Sequence, residues 1–397
     1  MKMDEIIENR MIDRWVRGFT SPANRVNAAH ETDAELVEMA GCADSFLAVT
    51  IDTVAEEIAE GIYRDPFTAG WISVVASLND LSAVGADPLG LVVAVTLDGA
   101  KPPDFHAGVA KGMDAACRAG NTAILGGDTN FGDRTVLTSS ALGLVPKLRI
   151  ITRRGCRPGD VVYASGPFGA GNALGLARLS GLPDAAFPEN LYRPAPRIAE
   201  GKLIREYANC CMDTSDGLFA TLDQLLRLND VGFRVECDWQ KLLCEPALVL
   251  GRKSGVPGWA FAAAPHGEFE LVATVAPDRE QEFLTAASTQ GKQFTRLGTV
   301  QEKPAVTLVF PSGKAVDADL APFRNLLFEL GGDLKRYQSE FLRLGVHSSY
   351  YLDTFSTSRF SVIFYPSYIT ADRGTLTAGY QNGIGFHLWA SLFIGCI

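Results

Sequence analysis

Five aspartates in four motifs stand at or near the end of an apolar run, beside small or hydroxyl residues, in Thr50-Ile51-Asp52-Thr53, Asn79-Asp80-Leu81, Gly126-Gly127-Asp128-Thr129 and Met212-Asp213-Thr214-Ser215-Asp216-Gly217. A chain that repeatedly delivers carboxylates to the ends of buried elements is building an α/β scaffold around a shared acidic site. Carboxylates in that setting, with glycine permitting close backbone approach, suit hard divalent cations held against a polyphosphate.

The 397 residues, 47% of them hydrophobic, suffice for a large core and two or three domains. A net charge of -10 argues against a nonspecific nucleic-acid partner or an anionic membrane surface. No run reaches the roughly 18 to 20 apolar residues of a transmembrane helix. The eight cysteines lack CxxC spacing, so buried thiols in a reducing cytoplasm are expected, with Cys210-Cys211 on a strand.

Residues 1–40 read as an N-terminal arm, with a helix over Asp4 to Val16 and no chemistry of its own. Residues 41–148 read as a first α/β unit. It has strands at Phe46–Ile51, Leu89–Leu97, Thr122–Leu125 and Val136–Val145, and helices through Trp71–Val84 and Phe105–Ala119. Arg157-Pro158-Gly159-Asp160 is turn punctuation near the start of a second unit, 149–310. That unit has strands at Val161–Ser165, Phe233–Cys237, Phe269–Val275 and Ala305–Phe310, and helices at Asn172–Leu179, Arg197–Tyr207 and Leu218–Leu228. Residues 311–397 change character, are crowded with Tyr, Phe, Ser and Thr over Tyr350–Tyr368, and read as an extension of unknown role.

Asp80 falls off the apolar stripe of its helix and can face a site. Gly126-Gly127-Asp128 fits either a strand-end turn or a close approach to nucleotide. Ser215 or Asp216 could cap the following helix, a role compatible with metal or phosphate binding there. The loop Gly166–Gly171 is the phosphate-loop candidate by composition, although it matches neither a Walker loop nor GxGxxG. Arg153-Arg154 are the candidates for positive charge near phosphates, or a solvated pair. The five histidines are scattered singly and give little support to a zinc site or a catalytic triad.

Taken in order, these motifs resemble the superfamily of aminoimidazole-ribonucleotide synthetase and thiamine-monophosphate kinase, most closely its kinase branch. The resemblance spans roughly residues 40–310 and rests on Val49–Val54, Ser77–Ala86, Gly126–Thr129, Arg153–Asp160, Met212–Leu218 and Gly267–Leu271. It implies a two-domain, PurM-like α/β (α+β) architecture whose N-terminal domains pair as a homodimeric sheet or barrel, with ATP between the two domains. It also implies Mg²⁺ held by Asp44, Asp52, Asp80, Asp128 and Asp216, and catalytic roles for Asp213 and Asp216. Gly127, Arg153 and Ser215 would contact ATP, and Glu268 would lie near a small-molecule phosphate acceptor.

Two departures stand out. Where the kinase branch has Gly-Asp-Asp-Ala before the first strand, this chain reads Gly41-Cys42-Ala43-Asp44-Ser45. Where the branch has Val-His-Phe after that strand, it reads Glu56 to Tyr63. The expected activity is ATP- and Mg²⁺-dependent phosphoryl transfer. An ATP-dependent cyclo-ligase or dehydratase, and a nucleotide-binding homologue without turnover, are the rival readings.

Overall fold

The computed structural model describes residues 3–346 apart from 21 and 237. The aromatic-rich part of the extension, Tyr350–Tyr368, lies outside the described residues, as does everything after it.

Two open sheets organise the chain. The N-terminal sheet comprises β1 (Glu35–Glu38), β2 (Ser45–Val54), β3 (Asp87–Asp98), β4 (Ile124–Gly132) and β5 (Val136–Pro146), in the order β1-β2-β5-β3-β4. Its pairs are antiparallel except β3 with β4. The C-terminal sheet comprises β6 (Val161–Ala164), β7 (Ala208–Asp213), β8 (Gly232–Glu236), β9 (Leu271–Val275), β10 (Thr295–Gln301), β11 (Val306–Val309) and β12 (Ala315–Asp317), in the order β12-β11-β8-β10-β6-β9-β7.

Alternation decides the faces of the first sheet. In β2, Phe46, Ala48, Thr50 and Val54 are buried, and in β5, Leu137, Ser139, Ala141 and Val145 are buried. Ile51 between them is exposed. The inner face packs on the Pro66–Ala83 helix, started by Asp65, whose carboxylate accepts from the Phe67 and Thr68 amides, with Pro66 in its first turn. This helix is apolar nearly all round, with buried Ser73, Ser77, Asn79 and Ser82 satisfied by hydrogen bonds rather than by solvent.

The same helix is the seam to the C-terminal half. Asn79 donates to the Phe269 carbonyl at 2.7 Å and accepts from the Arg197 amide at 2.7 Å, and Trp71 Nε1 donates to the Pro194 carbonyl at 2.8 Å. Against the Pro103–Ala119 helix it packs through Gly70 and Gly112. A Cβ at either glycine would fall about 2 Å from a carbonyl oxygen of the other helix, Val109 or Phe67, so neither tolerates a side chain.

Three features differ from the sequence reading. The N-terminal sheet begins at β1, whose residues pair with β2 from Glu35, so residues 35–40 belong to the first α/β unit rather than to an arm. β4 runs through Gly126-Gly127-Asp128 instead of ending before it. The C-terminal sheet continues past 310 with β12, and the Leu334–Val346 helix packs Tyr337, Gln338, Phe341 and Leu342 into the core. No disulfide occurs among the described cysteines, and no helix among the described residues is long and apolar enough to cross a membrane.

Candidate metal and nucleotide site

Asp52 lies near the end of β2 on its inner face, Asp80 in the last turn of the Pro66–Ala83 helix, and Asp213 at the end of β7. These three elements converge where the two sheets meet. Asp33, just before β1, completes the group. One carboxylate oxygen from each of Asp33, Asp80 and Asp213 lies within 4.8 Å of the other two, and Asp52 is close enough to Asp80 for their titrations to interact. Asp216 stands in the turn after β7, before the Leu218–Asn229 helix, with an open face to solvent.

Burial and mutual repulsion push the Asp80 and Asp213 carboxyls well above the ordinary aspartate range, and burial raises Asp52 in the same direction. One guanidinium answers them. Arg153 Nη2 donates to Asp33 Oδ1 at 2.7 Å, and the charges of Asp33, Asp213 and Asp80 hold Arg153 firmly protonated despite its burial. Among the described residues these carboxyl groups share that one nearby cation, too little positive charge to let all of them ionise together. Two of the cluster's buried oxygens, Asp33 Oδ2 and Asp52 Oδ2, have no protein partner. Orphaned carboxyl oxygens in a converging set match the donor chemistry of a hard divalent cation. Beside Asp33, a half-open depression of about 330 Å³ is lined by Glu35, Val49, Thr50, Ile51 and Ser140 as well.

The surrounding network fixes these groups. Thr50 donates to Asp80, and Ser215 Oγ donates to Asp213 Oδ1 at 3.2 Å. Thr221 Oγ1 donates to the Asp213 carbonyl at 2.9 Å, and Asn229 Nδ2 to the Arg153 carbonyl at 2.9 Å. Gly217, at φ 86°, lets the turn pass the Ala264 carbonyl, where a Cβ would sit 2.4 Å from the oxygen.

Several expected site residues are placed elsewhere. Asp44 is exposed in the turn before β2, eight residues from Asp52 and so about 26 Å along an extended strand. The acidic residue expected before the first long strand is Asp33 instead. Asp128 shares its row across the sheet with Ala94, Thr138 and Thr53, the exposed face opposite to Asp52, about 14 Å away across three strand spacings. Its carboxylate accepts from Asn130. Gly127 is demanded by β3, since a Cβ there would lie 2.1 Å from the Val93 carbonyl oxygen.

Glu268 accepts from the Gly169 amide at 2.6 Å and the Asn172 amide at 2.9 Å, so its carboxylate fills the N-terminus of the Ala170–Leu179 helix. The Gly166–Gly171 loop is therefore occupied by a carboxyl group of the protein, which burial pushes up to about 8, where a phosphate would have bound. Arg154 pairs with Glu31 at 2.6 Å.

Two acidic groups escaped the sequence reading. Asp33 precedes a strand of only four residues, too short to show a period. Glu8, in the Ile7–Val16 helix, lies near Asp216 and Arg153; crowding by the surrounding protein, with Asp216 adding to it, pushes its carboxyl up to about 7. The arm does carry a group to the cluster.

Family models describe two successive stretches of this chain: AIR synthase related protein, N-terminal domain, over residues 32–145, and AIR synthase related protein, C-terminal domain, over residues 157–310. The chain belongs to the AIR synthase-related family. The first model begins at Thr32-Asp33, in keeping with the place of Asp33 at the cluster.

Among relatives, the thiamine-monophosphate kinase of Halobacterium salinarum is 34% identical over 58% of this chain and 77% of its own length. That of Escherichia coli O157:H7 is 35% identical over 59% and 72%. The structure of AaThiL complexed with AMPPCP and TMP superposes with a TM-score of 0.64 at 24% identity, covering 80% of this chain and 96% of that one, a likeness of fold.

Proposed function

We propose that this family member is an ATP- and Mg²⁺-dependent kinase that transfers the γ-phosphoryl group of ATP to the phosphate of a small acceptor, with thiamine monophosphate the first candidate. The observation that carries the reading is the convergent carboxylate cluster with its two orphaned oxygens. The names of the relatives, and the ATP analogue and TMP bound by AaThiL, support the same chemistry.

Asp33, Asp52, Asp80 and Asp213 would hold Mg²⁺, with Asp216 at the open edge. Bound there, the metal supplies charge neutralisation for the β- and γ-phosphates. The protein's own part is positional. The rigid seam helix fixes Asp80 against β2 and β7, and Arg153 holds Asp33 in place. An acceptor phosphate is already ionised, so its oxygen attacks without a general base, and catalysis rests on alignment and electrostatics.

A homodimer fits the exposed apolar surface of the N-terminal sheet, where Ile51, Leu89, Val92, Leu125 and Phe131 are all exposed, and where β4 has a free edge. Asp128 shares its face with Ile51 and Val92, while Phe131 lies on the opposite one, so any metal role for Asp128 is exercised toward a second copy.

Calorimetric titration with AMPPCP in Mg²⁺ and then in EDTA, followed by product analysis with ATP and thiamine monophosphate, tests the reading. Metal-dependent binding with formation of ADP and a diphosphate product is expected. Binding indifferent to metal, or ADP and free phosphate without a phosphorylated acceptor, overturns it.

A further inference from the structure

The helix Leu334–Val346 lies beyond both stretches that the family models match, the second of which ends at residue 310, yet it packs into the C-terminal half. Asp333 starts it, its Oδ1 accepting from the Arg336 amide at 2.9 Å. Tyr337 and Phe341, four residues apart, form a buried stripe, and Phe341 meets the Trp259 and Phe323 rings with centroids 5.1 and 5.3 Å away. Gln338 is buried beside them. A buried amide costs stability unless it is paired, and its partner is His266, whose Nε2 donates to Gln338 Oε1 at 3.3 Å. Tyr337 sets its ring edge-on to the same imidazole, with centroids 6.4 Å apart.

From His266 the contacts lead to the metal cluster. The next residue, Gly267, donates its amide to the Ser215 carbonyl at 3.0 Å, and Gly217 packs against the Ala264 carbonyl. Residues 264–267 therefore hold the Ser215–Gly217 turn from outside. Asp216 depends on that hold more than its neighbours do. Asp33, Asp80 and Asp213 each accept a side-chain hydrogen bond, from Arg153, Thr50 and Ser215 respectively. The Asp216 carboxyl accepts none among the described residues, so the turn alone sets where it stands.

We propose that Gln338 is a positioning residue for the phosphoryl transfer: by holding His266 it fixes the 264–267 segment, and through Gly267 it keeps Asp216 at the open edge of the cluster. This rests on the kinase reading and adds to it a contribution from outside the two family domains. A second link of the helix, Lys335 Nζ to Glu60 Oε2 at 3.1 Å, joins two exposed side chains and contributes little.

Calorimetry of AMPPCP binding in Mg²⁺, on the full chain, tests this with Gln338→Met, Gln338→Glu, Asp216→Asn and the double variant of Gln338→Met with Asp216→Asn. Gln338→Met fills the same space without an acceptor, and is expected to lower Mg²⁺-dependent affinity about tenfold, as for loss of a group that orients a metal ligand. In the Asp216→Asn chain the same change should cost less than about twofold, because the residue it positions has already lost its charge. Gln338→Glu, which keeps the acceptor oxygen, should recover part of the loss, and Lys335→Ala should match the native protein. If Gln338→Met does not fold, His266→Phe, which keeps a ring and removes Nε2, takes its place in the same cycle.

An equal loss in both backgrounds makes Gln338 a residue of general stability and overturns the proposal, as does an unchanged affinity in folded Gln338→Met. Failure of the native protein to bind AMPPCP in a Mg²⁺-dependent way overturns both this and the kinase reading. A native protein that binds it and shows the coupling, yet forms no phosphorylated acceptor, defeats the kinase reading alone.

Discussion

Arg153 donates to Asp33 Oδ1 at 2.7 Å while Asp33 Oδ2 is left without any partner. One carboxylate thus faces a cation of the protein on one side and an unmet demand for a cation on the other. Asp33→Asn is expected to lower Mg²⁺-dependent AMPPCP affinity by about 10- to 100-fold, the range for a lost metal-site group. Asp44→Asn should leave that affinity unchanged within twofold. Calorimetry on both variants checks this; equal losses, or none, would remove Asp33 from the site.

Glu268 has both oxygens committed to backbone amides. Glu268→Ala should therefore destabilise the fold by about 1–3 kcal/mol, the cost of leaving buried donors unmet. Glu268→Gln keeps the shape and one acceptor, and should cost less and leave KM for the acceptor unchanged. A large rise in KM in a Gln variant with a native melting temperature would instead make Glu268 an acceptor contact.

His266 is buried, and that burial pushes its imidazole down to about 4 from an ordinary 6.5, with Gln338 Oε1 3.3 Å from Nε2 working against the shift. The folded state disfavours the proton that the unfolded chain takes up below 6.5. Stability from this group is full above pH 6.5 and is lost as pH falls toward 4, by about 3 kcal/mol at the lower limit. Urea midpoints measured from pH 7 to 4 should fall more steeply for the native protein than for His266→Gln. Parallel curves would assign the acid sensitivity to other groups.

Leu125 and Phe131 lie exposed on β4. If the N-terminal sheets pair, Leu125→Lys or Phe131→Lys should yield a monomer by light scattering, with the melting temperature of the isolated fold preserved. An oligomeric state untouched by both substitutions would place any association elsewhere.

Much of this arrangement is legible in the residues. Thr50-Ile51-Asp52 announces β2 because alternation and an abrupt acidic end coincide, and Asp80 stands out as a charge in an otherwise apolar helix. Asp213 is marked by the apolar Cys210-Cys211-Met212 that carries it. Asp33 was hidden because a four-residue strand has no measurable period, and its role depends on β2 pairing that only the fold reveals. Asp128 was misplaced for the opposite reason. Gly126-Gly127 reads as a turn, yet the chain continues extended through it, and the two-residue period of a strand then sends Asp128 to the exposed face. Glu268 was expected near the acceptor through the resemblance alone, and no local pattern announces that its carboxyl group accepts from the Gly169 and Asn172 amides, about a hundred residues earlier in the chain.

The Pro66–Ala83 helix has fourteen of its eighteen residues buried. It serves the inner face of one sheet, the glycine-tight crossing with Pro103–Ala119 and the hydrogen bonds of Asn79 to the other half, all at once. Almost no position on it is free to drift, and a deep mutational scan should show it as an unbroken intolerant block. Change between descendants of this chain is then channelled into segments away from this helix, so that surface and loop chemistry can diverge while the frame that carries Asp80 is inherited intact.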